Sequence, residues 1–239
     1  MPEVQFKLEY TLNNYDLEGV TVVITAAGSS SRTGGIDKIL TLLKGEPVLA
    51  HSLKVFNEHE GVAAIVVVAS EHNMLQVQKI CEPFSKVTDI VSGKESRAES
   101  VAEGFSFVRT KKVLIHDGAR PLVQRPVIDR VLEALKTHLA CSAGVPVKDT
   151  VKCVDSNGLV LSTLKRDSLL AMQTPQGFDS HIYRNALDAA DDISSFTDEC
   201  ALVENIGVKV CCVAGDYKNI KITTAEDLIV AEAFLKGEM

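Results

Sequence analysis

Two short runs of β-branched residues place the strongest constraint on the fold of this chain. They are VTVVIT at 20–25 and VAAIVVVA at 62–69, and both are apolar at nearly every position. A strand with one face in water alternates polar with apolar side chains, whereas a strand covered on both faces is apolar throughout. Between the runs, Leu49, Leu53 and Phe56 share one face of a predicted helix. The pattern predicts two buried, parallel strands joined by a helix.

Further strand and helix patterns continue this alternation to the end of the chain. Additional strand candidates lie at 86–91, 112–117, 142–147 and 208–215. A helical stripe follows Pro126 and runs from Ile128 to Leu139. The last helix begins with a capping box of Thr223 and Glu226. Alternating strands and helices imply an α/β fold, in which helices cover both faces of a mostly parallel sheet.

One stretch breaks the alternation and predicts a hairpin. Residues 149–167, DTVKCVDSNGLVLSTLKRD, alternate apolar with polar side chains about Asn157-Gly158, which is a strong turn signal. A hairpin inserted late in an α/β domain tends to project from its body. We therefore predict a single domain over residues 1–239 with a β-arm at 148–167 that serves in dimerisation.

The composition is that of an ordinary globular protein with an acidic balance. Hydrophobic residues make up 46% and charged residues 24% of the 239 residues, and the net charge is −7. This charge disfavours duplex DNA and anionic membranes as partners. Residues 1–19 lack the apolar core of a secretory signal, and no apolar run approaches the length of a membrane span. We expect a cytoplasmic protein with neither a nucleic acid nor a membrane as its partner.

The cysteines show no CxxC spacing and mostly lie in apolar contexts. They are Cys81, Cys141, Cys153, Cys200, Cys211 and Cys212. This usage is typical of reduced, buried thiols in a cytosolic protein, which is what we expect here.

Three polar, charged stretches follow predicted strands, at 26–38, 92–100 and 116–120. Ligands of open α/β sheets bind where loops leave the carboxyl ends of the strands. The first stretch, AAGSSSRTGGIDK, combines small residues with Arg32 and Lys38, which suits an anion bound by backbone N–H groups. It matches neither the P-loop nor the dinucleotide fingerprint, which disfavours a nucleoside triphosphatase or a dehydrogenase. A mobile surface loop with two solvated cations is the alternative.

Each of the other stretches also has a structural explanation. In HDGARP, Asp117 and Arg120 suit an anionic substrate or a phosphate-held metal, or they pair to hold the loop, and His116 is interpreted as structural. Helix capping explains SGKESRAESV and also FTDEC, where Thr197 would be the cap. Lys221 in NIKIT lies either at an edge or in a cleft.

Seven segments together resemble the 2-C-methyl-D-erythritol 4-phosphate cytidylyltransferases, in the order of that family, from about Val20 to Leu235. The segments are AAGSSSR, SRAESV, HDGARP, PVKDTVK, TLKRDSLLAMQTPQGF, TDECALVENIG and NIKITTAEDL. The resemblance implies a Rossmann-like α/β fold and a homodimer interlocked by β-arms. It also implies transfer of CMP from CTP to 2-C-methyl-D-erythritol 4-phosphate, with release of pyrophosphate, in non-mevalonate isoprenoid biosynthesis. Alternatives are a ribitol-5-phosphate cytidylyltransferase and a non-catalytic nucleotide-binding relative.

The resemblance also assigns roles to individual residues. Around the CTP triphosphate and cytidine it places Ala26, Ala27, Gly28, Ser30, Arg32 and Lys38. The base and ribose would contact Gly93 and Ser100. On the side of the sugar phosphate lie Asp117, Arg120 and, more weakly, Thr197, and at the partner subunit's substrate lie Thr150 and Arg166. The catalytic cations would be Arg32, Lys38 and Lys221. The family usually has Pro-Lys-Gln where this chain has IDKIL around Lys38.

The implied reaction needs cations rather than a general base. A sugar-phosphate oxygen that attacks the α-phosphorus of CTP is already an anion, so repulsion between two polyanions is what resists reaction. We therefore expect catalysis by fixed cations and Mg²⁺, which act by positioning and electrostatic stabilisation. No metal-ligand spacing is present, so the CTP phosphates would be the chief Mg²⁺ ligands, with Asp117 the one carboxylate near the ion.

Overall fold

The computed structural model describes residues 17–28 and 37–237. The strands are β1 (Leu17–Ala26), β2 (Leu42–Leu43), β3 (Glu46–Pro47), β4 (Val62–Ala69), β5 (Val87–Ser92), β6 (Thr110–Asp117), β7 (Ala140–Pro146), β8 (Lys152–Val154), β9 (Val160–Thr163), β10 (Leu170–Asp179) and β11 (Cys211–Ala214). The α-helices are α1 (Val48–Glu58), α2 (Met74–Cys81), α3 (Arg97–Phe105), α4 (Arg125–Ala134), α5 (Ser180–Ala189), α6 (Glu199–Asn205) and α7 (Ala225–Lys236). Each strand predicted from apolar runs is present, and β4 has the predicted bounds.

Seven strands form one sheet in the order β11-β7-β10-β6-β1-β4-β5. β1 pairs in parallel with both β4 and β6, and only β10 runs antiparallel to its neighbours. The predicted α/β fold with a mostly parallel sheet is therefore confirmed. Since the chain leaves β1 for β4 on one side and later returns to β6 on the other, β1 marks a topological switch point. In such sheets the crevice beyond the carboxyl ends at that point is where ligands bind.

The core lies on both faces of the sheet because successive side chains of a strand point to opposite faces. Val22 and Ile24 of β1 belong to the cluster that packs under α1, α2 and α4. Val23, between them, belongs to the cluster under α3, α5 and α6. All three side chains are fully buried, and each such burial stabilises the fold by roughly 1.5–3 kcal/mol. Burial on both faces accounts for the uninterrupted apolar sequence of β1.

Gly104 lets α3 lie close to the sheet. A Cβ added there would lie 2.6 Å from Val68 Cγ2 and 2.7 Å from Val23 Cγ1, closer than carbon atoms pack. The helix therefore approaches β1 and β4 across a glycine. This close packing brings the amino end of α3 to the carboxyl ends of the central strands.

The predicted arm is present as a hairpin, since β8 and β9 form a two-stranded sheet separate from the main one. Gly158 has the positive φ of +81° that the turn requires, and the Asp155 carboxylate accepts the N–H groups of Asn157 and Leu159. Apolar side chains on the arm are exposed, among them Leu159 and Leu161 at 66% and 67%. The role of the arm in dimerisation and the single domain over 1–239 stay predictions.

Two predicted helix caps were wrong by one residue. The last helix is capped at Thr224, and the Asp227 carboxylate accepts the N–H groups of Thr223 and Thr224. TTAED contains two overlapping capping-box patterns, Thr223 with Glu226 and Thr224 with Asp227, and the second one forms. At α6 the cap is Asp198, whose carboxylate accepts the Ala201 N–H, whereas the predicted cap Thr197 is exposed. A carboxylate at that position also interacts favourably with the helix dipole.

Burial departs from expectation at the periphery of the fold. Cys81, Cys141 and Cys200 are buried thiols as expected, but Cys153 and Cys212 are exposed because they lie on the arm and on the edge strand β11. The last residue of the predicted helical stripe, Leu139, is 51% exposed because α4 ends before it. Among the described residues, no helix has the length and apolar character needed to cross a bilayer.

Candidate active site

The carboxyl ends of β1, β5 and β6 surround a cavity of about 380 Å³. This volume lies within the range of small-molecule sites. Six of the predicted site residues line it, namely Ala27, Gly28, Lys38, Ser100, Asp117 and Lys221. The predicted convergence of the three loops is therefore confirmed, because each loop contributes to this one cavity.

Gly93 closes the wall of the cavity behind two lining residues. A Cβ at Gly93 would lie 2.5 Å from Ala27 Cβ and 2.9 Å from Ser100 Oγ, so no larger residue fits there without movement. Ser100 Oγ accepts the Lys94 N–H at 2.9 Å and donates to the Ser96 carbonyl at 2.9 Å. Gly93 and Ser100 thus shape the loop that leads into α3.

Lys38 is anchored through its neighbours. The Asn73 side-chain amide donates to the carbonyl of Ala26 at 3.0 Å and to Asp37 Oδ2 at 2.8 Å, and the other oxygen of Asp37 accepts the Ile39 N–H. Asn73 is 2% exposed and ties the end of β1 to the residue before Lys38. Within the described ranges Lys38 has no hydrogen-bond or ion-pair partner, so its ammonium can bind a ligand in the cavity.

Asp117 is the most crowded charge of the site. Its Oδ1 accepts from Arg97 Nε at 3.2 Å and Nη2 at 3.0 Å, and its Oδ2 lies 2.8 Å from Lys221 Nζ and 3.7 Å from Arg120 Nε. The Asp117 N–H donates to Thr174 Oγ1. Burial would raise the pKa of Asp117, but Arg97 and Lys221 outweigh burial and hold that pKa well below its usual range. Asp117 therefore carries its charge throughout the neutral range.

Arg97 and Glu199 are site residues that the sequence analysis missed. Arg97 Nη1 donates to both oxygens of Glu199, at 2.7 and 2.9 Å, while the rest of the guanidinium faces Asp117. Glu199 is 2% exposed, and burial raises its pKa while Arg97 opposes that rise. Both residues stand at the first position of a helix, where an arginine or an acid is unremarkable in a sequence. The two residues are 102 positions apart, so no local sequence signal indicates the pair.

His116 and Arg120 support the site from behind. His116 is fully buried, with Nδ1 3.0 Å from Thr174 Oγ1 and Nε2 3.2 Å from the Arg120 carbonyl. Burial lowers the pKa of His116 to about 4, so the ring is neutral, and its predicted structural role is confirmed. Arg120 Nη1 donates to the carbonyl of Asn219 at 2.8 Å, which holds the segment that carries Lys221.

Three of the predicted residues that the structure describes lie away from this cavity. Thr150, Arg166 and Thr197 are exposed and do not line it, and Arg166 Nη1 donates to the Lys148 carbonyl. Ser30 and Arg32 lie outside the described residues. The roles assigned to these five residues stay predictions.

The charges of the cavity suit a polyanion. Five cations lie in or behind its wall, namely Lys38, Lys94, Arg97, Arg120 and Lys221, against three carboxylates, Glu95, Asp117 and Glu199. Residues 17–28 and 37–237 contain no group of three or more His, Cys, Asp or Glu side chains that could hold a metal ion. The arrangement can therefore bind phosphates and stabilise negative charge, and it does not provide a protein cage for a metal.

Comparison with known proteins points to one family. The family described as IspD, 2-C-methyl-D-erythritol 4-phosphate cytidylyltransferase, matches residues 20–237. A protein of that name from Dehalococcoides mccartyi is 45% identical over 222 residues, which cover 92% of this chain and 97% of the relative. One from Caldanaerobacter subterraneus is 43% identical, over 91% and 99% of the two chains.

Solved structures agree with the sequence comparison. The crystal structure of 4-diphosphocytidyl-2C-methyl-D-erythritol synthase from Anaerococcus prevotii superposes with a TM-score of 0.81 at 30% identity, over 92% of this chain and 99% of the other. The 2-C-methyl-D-erythritol 4-phosphate cytidylyltransferase from Thermus thermophilus gives a TM-score of 0.75, also at 30% identity, over 91% and 99%.

The crowding of Asp117 predicts how its replacement changes stability. Asp117→Asn should lower the free energy of unfolding at pH 7 by about 3 kcal/mol, because Arg97, Arg120 and Lys221 lose the buried carboxylate that is their counter-charge. The folded pKa of Asp117 is depressed, so its charge stabilises the fold in full above the unfolded pKa of about 4. This stabilisation decreases as the pH falls below that value and is lost completely only below the folded pKa. Urea unfolding of both proteins at pH 7 and at pH 3 measures the difference, which should narrow at pH 3.

The exposed Asp188 offers a matched control. Asp188→Asn should change the free energy of unfolding by less than about 0.5 kcal/mol at either pH. An Asp117→Asn protein as stable as the wild type at pH 7 would contradict the electrostatic account of the site.

Proposed function

The chain belongs to the 2-C-methyl-D-erythritol 4-phosphate cytidylyltransferase family and is a cytidylyltransferase, and we propose that the cavity at the ends of β1, β5 and β6 is where it acts. The enzyme transfers CMP from CTP to 2-C-methyl-D-erythritol 4-phosphate, a step of isoprenoid biosynthesis, and releases pyrophosphate. The relatives named above share this activity in their names, so a ribitol-5-phosphate cytidylyltransferase is not favoured.

We propose that CTP lies between the loop after β1 and the amino end of α3. The backbone at Ala27 and Gly28 carries no bulky side chain, which suits close approach to phosphate oxygens. The amino end of α3 adds backbone N–H groups and the positive end of a helix dipole. Lys38, anchored by Asp37 and Asn73, supplies a cation to the same cavity. Gly93 and Ser100 would then lie beside the base and ribose.

In the proposed reaction an oxygen of the sugar phosphate attacks the α-phosphorus of CTP. A new P–O bond forms there as the bond to the bridging oxygen of the β-phosphate breaks, and the electron pair leaves with pyrophosphate. The attacking oxygen is already anionic, and the buried, neutral His116 is bonded to Thr174 and Arg120, so no side chain is needed as a base. Lys221 and Lys38 stabilise the charge that develops on the phosphates.

The observation that carries the proposal is that Lys38 and Lys221 line one cavity with a small-residue loop. Lys38→Ala and Lys221→Ala should each lower kcat by roughly 10²–10³, the scale for loss of one preorganised stabilising group. Pyrophosphate release with CTP, 2-C-methyl-D-erythritol 4-phosphate and Mg²⁺ measures the rate.

A matched control is Lys79→Ala on α2, an exposed lysine that does not line the cavity. Its kcat should equal that of the wild type. Near-normal turnover of the Lys38 or Lys221 variant would remove that residue from the mechanism. Tight CTP binding by the wild type without pyrophosphate release would instead identify a non-catalytic relative.

We propose that Mg²⁺ arrives with CTP and is held by its phosphates and by water. Both oxygens of the Asp117 carboxylate already bond Arg97 and Lys221, which leaves the exposed Glu95 as the other carboxylate among the described lining residues. One exposed carboxylate suits an ion that takes most of its ligands from the nucleotide phosphates and water. Bound in this way, Mg²⁺ would neutralise phosphate charge next to Lys38.

Removal of the metal tests this arrangement. EDTA should abolish product formation and excess MgCl₂ should restore it, because phosphate charge would otherwise go uncompensated. Dialysed, nucleotide-free protein should retain no stoichiometric Mg²⁺ when its metal content is measured. Tight binding of one Mg²⁺ per chain without CTP would contradict the proposal.

We also propose that the chain forms a homodimer through its arm and works in the cytoplasm. The arm exposes Val154, Leu159, Val160 and Leu161, a concentration of apolar surface that a monomer rarely leaves in water. Thr150 and Arg166 lie on the same projection, outside the cavity of their own chain. Across a dimer, these residues would contact the sugar phosphate in the partner's cavity.

Mixed dimers test whether the arm acts in trans. Arg166→Ala should raise KM for the sugar phosphate more than KM for CTP, since the guanidinium would bind the acceptor phosphate. When Arg166→Ala and Lys221→Ala proteins are mixed and allowed to exchange, half of the dimers are mixed, and each has one intact site. Activity should therefore recover to about one quarter of the wild-type rate. No recovery, with subunit exchange verified by light scattering of tagged chains, would contradict an arm that acts in trans.

A further inference from the structure

A continuous chain of charges crosses the cavity wall from α6 to the segment that carries Lys221. Glu199 bonds Arg97, Arg97 bonds one oxygen of Asp117, and the other oxygen of Asp117 bonds Lys221. We propose that Arg97 and Glu199 are positioning residues that hold the Asp117 carboxylate and, through it, the Lys221 ammonium in the geometry required for CMP transfer. The proposal rests on the proposed function, since it concerns the same cavity.

The guanidinium of Arg97 is committed to protein carboxylates. Its Nε and Nη2 donate to Asp117 Oδ1, and its Nη1 donates to both oxygens of Glu199. Two-point contacts of a planar guanidinium fix direction as well as distance. Arg97 therefore sets the orientation of its two partners, and it is not an available ligand for phosphate in the way that Lys38 is.

The consequence for Lys221 follows from the two oxygens of Asp117. Because Arg97 occupies Oδ1, the carboxylate presents Oδ2 to Lys221 at 2.8 Å. Arg120 lies 3.7 Å from the same oxygen. Without Arg97, the carboxylate is free to rotate toward Arg120, and the Lys221 ammonium moves with its partner or loses it.

Glu199 holds the far end of Arg97. It is 2% exposed, and its carboxylate bonds both oxygens to the same nitrogen of Arg97. Glu199 begins α6, whereas Arg97 begins α3 and Asp117 ends β6. The three side chains thus join the start of α3, the end of a central strand and the start of α6. This placement ties the proposed nucleotide side of the cavity to the proposed acceptor side.

The charges that face Asp117 are all accounted for within the described residues. Arg97 faces it from α3, Arg120 from the loop after β6 and Lys221 from the segment before α7, while the neighbouring His116 is neutral and Glu199 lies beyond Arg97. Loss of Arg97 leaves the buried carboxylate with less compensation, so its pKa must rise. The pKa of Asp117 therefore reports on its contact with Arg97, and measuring it does not require turnover.

Kinetics of Arg97→Met, Arg97→Lys and Glu199→Gln test the proposal. Arg97→Met should lower kcat roughly 10²-fold, the scale of misplacing a reacting group by about 1 Å, with KM for CTP nearly unchanged. Glu199→Gln and Arg97→Lys should lower kcat about tenfold, each by loosening one end of the two-sided contact. Adding Glu199→Gln to Arg97→Met should cause no further loss, because Glu199 acts through Arg97.

The exposed pair of Arg125 with Glu60 is a matched control. Arg125→Met and Glu60→Gln remove the same groups far from the cavity, and kcat should stay at the wild-type value. Should Arg97→Met fail to fold, the two milder variants carry the kinetic test. Wild-type kcat in the Arg97 variants would overturn the proposal. So would a loss confined to KM for CTP, or independent losses in the double variant.

Carboxyl ¹³C NMR of Asp117 separates this proposal from the proposed function. In the wild type the Asp117 signal should remain that of a carboxylate to below pH 4. In the Arg97→Met protein the titration of Asp117 should move to higher pH. A wild-type protein that releases no pyrophosphate would refute the proposed CMP transfer, while the titration of Asp117 would still report on its contact with Arg97. Identical titration of Asp117 in wild-type and Arg97→Met proteins would refute the pair.

Discussion

Parallel pairing of β1 with both β4 and β6 is the constraint on which the rest of the molecule depends. The register aligns Ala26 with Ala69 and Thr25 with Asp117, so the carboxyl ends of three strands finish at one level. Every loop that leaves this edge starts from a rigid, buried element, and the chemistry-bearing side chains follow within a few residues. The cavity is thus a consequence of strand order and register more than of any single loop motif.

The cost of such a site is that like charges must be held together near a low-dielectric core. Lys221 and the two arginines converge on one carboxylate, and Asp117 lowers their mutual repulsion. Because Arg97 is in turn neutralised by Glu199, the excess positive charge that remains lies on the lysines facing the cavity. A protein with a net charge of −7 therefore presents a local cationic surface to a polyanionic ligand.

The sequence predicted those strands and helices whose apolar pattern matches the burial of their side chains in the fold. The strand at 62–69 was predicted with its observed bounds because every residue in it is apolar and because Gly61 and Ser70 flank the run. The caps of α6 and α7 were wrong by one residue because two adjacent cap formers compete in TD and TT, and the choice depends on tertiary geometry. Arg97 and Glu199 were missed because a side-chain pair that closes across two helix starts has no local sequence pattern.

The segment around Lys38 shows how tertiary contacts compensate for a departure from a local motif. Its sequence, IDKIL, differs from the pattern usual in the family, yet Lys38 lines the same cavity as Lys221. Asp37 accepts from Asn73, which lies 36 residues later and also bonds the end of β1. The position of Lys38 therefore depends on the buried side-chain amide of Asn73, the N-cap residue of α2. Asp37, the residue before the lysine, uses this anchor through its carboxylate. The consecutive residues around Lys38 match the family pattern weakly, whereas the contact between Asp37 and Asn73 fixes the segment that carries the cation in this chain.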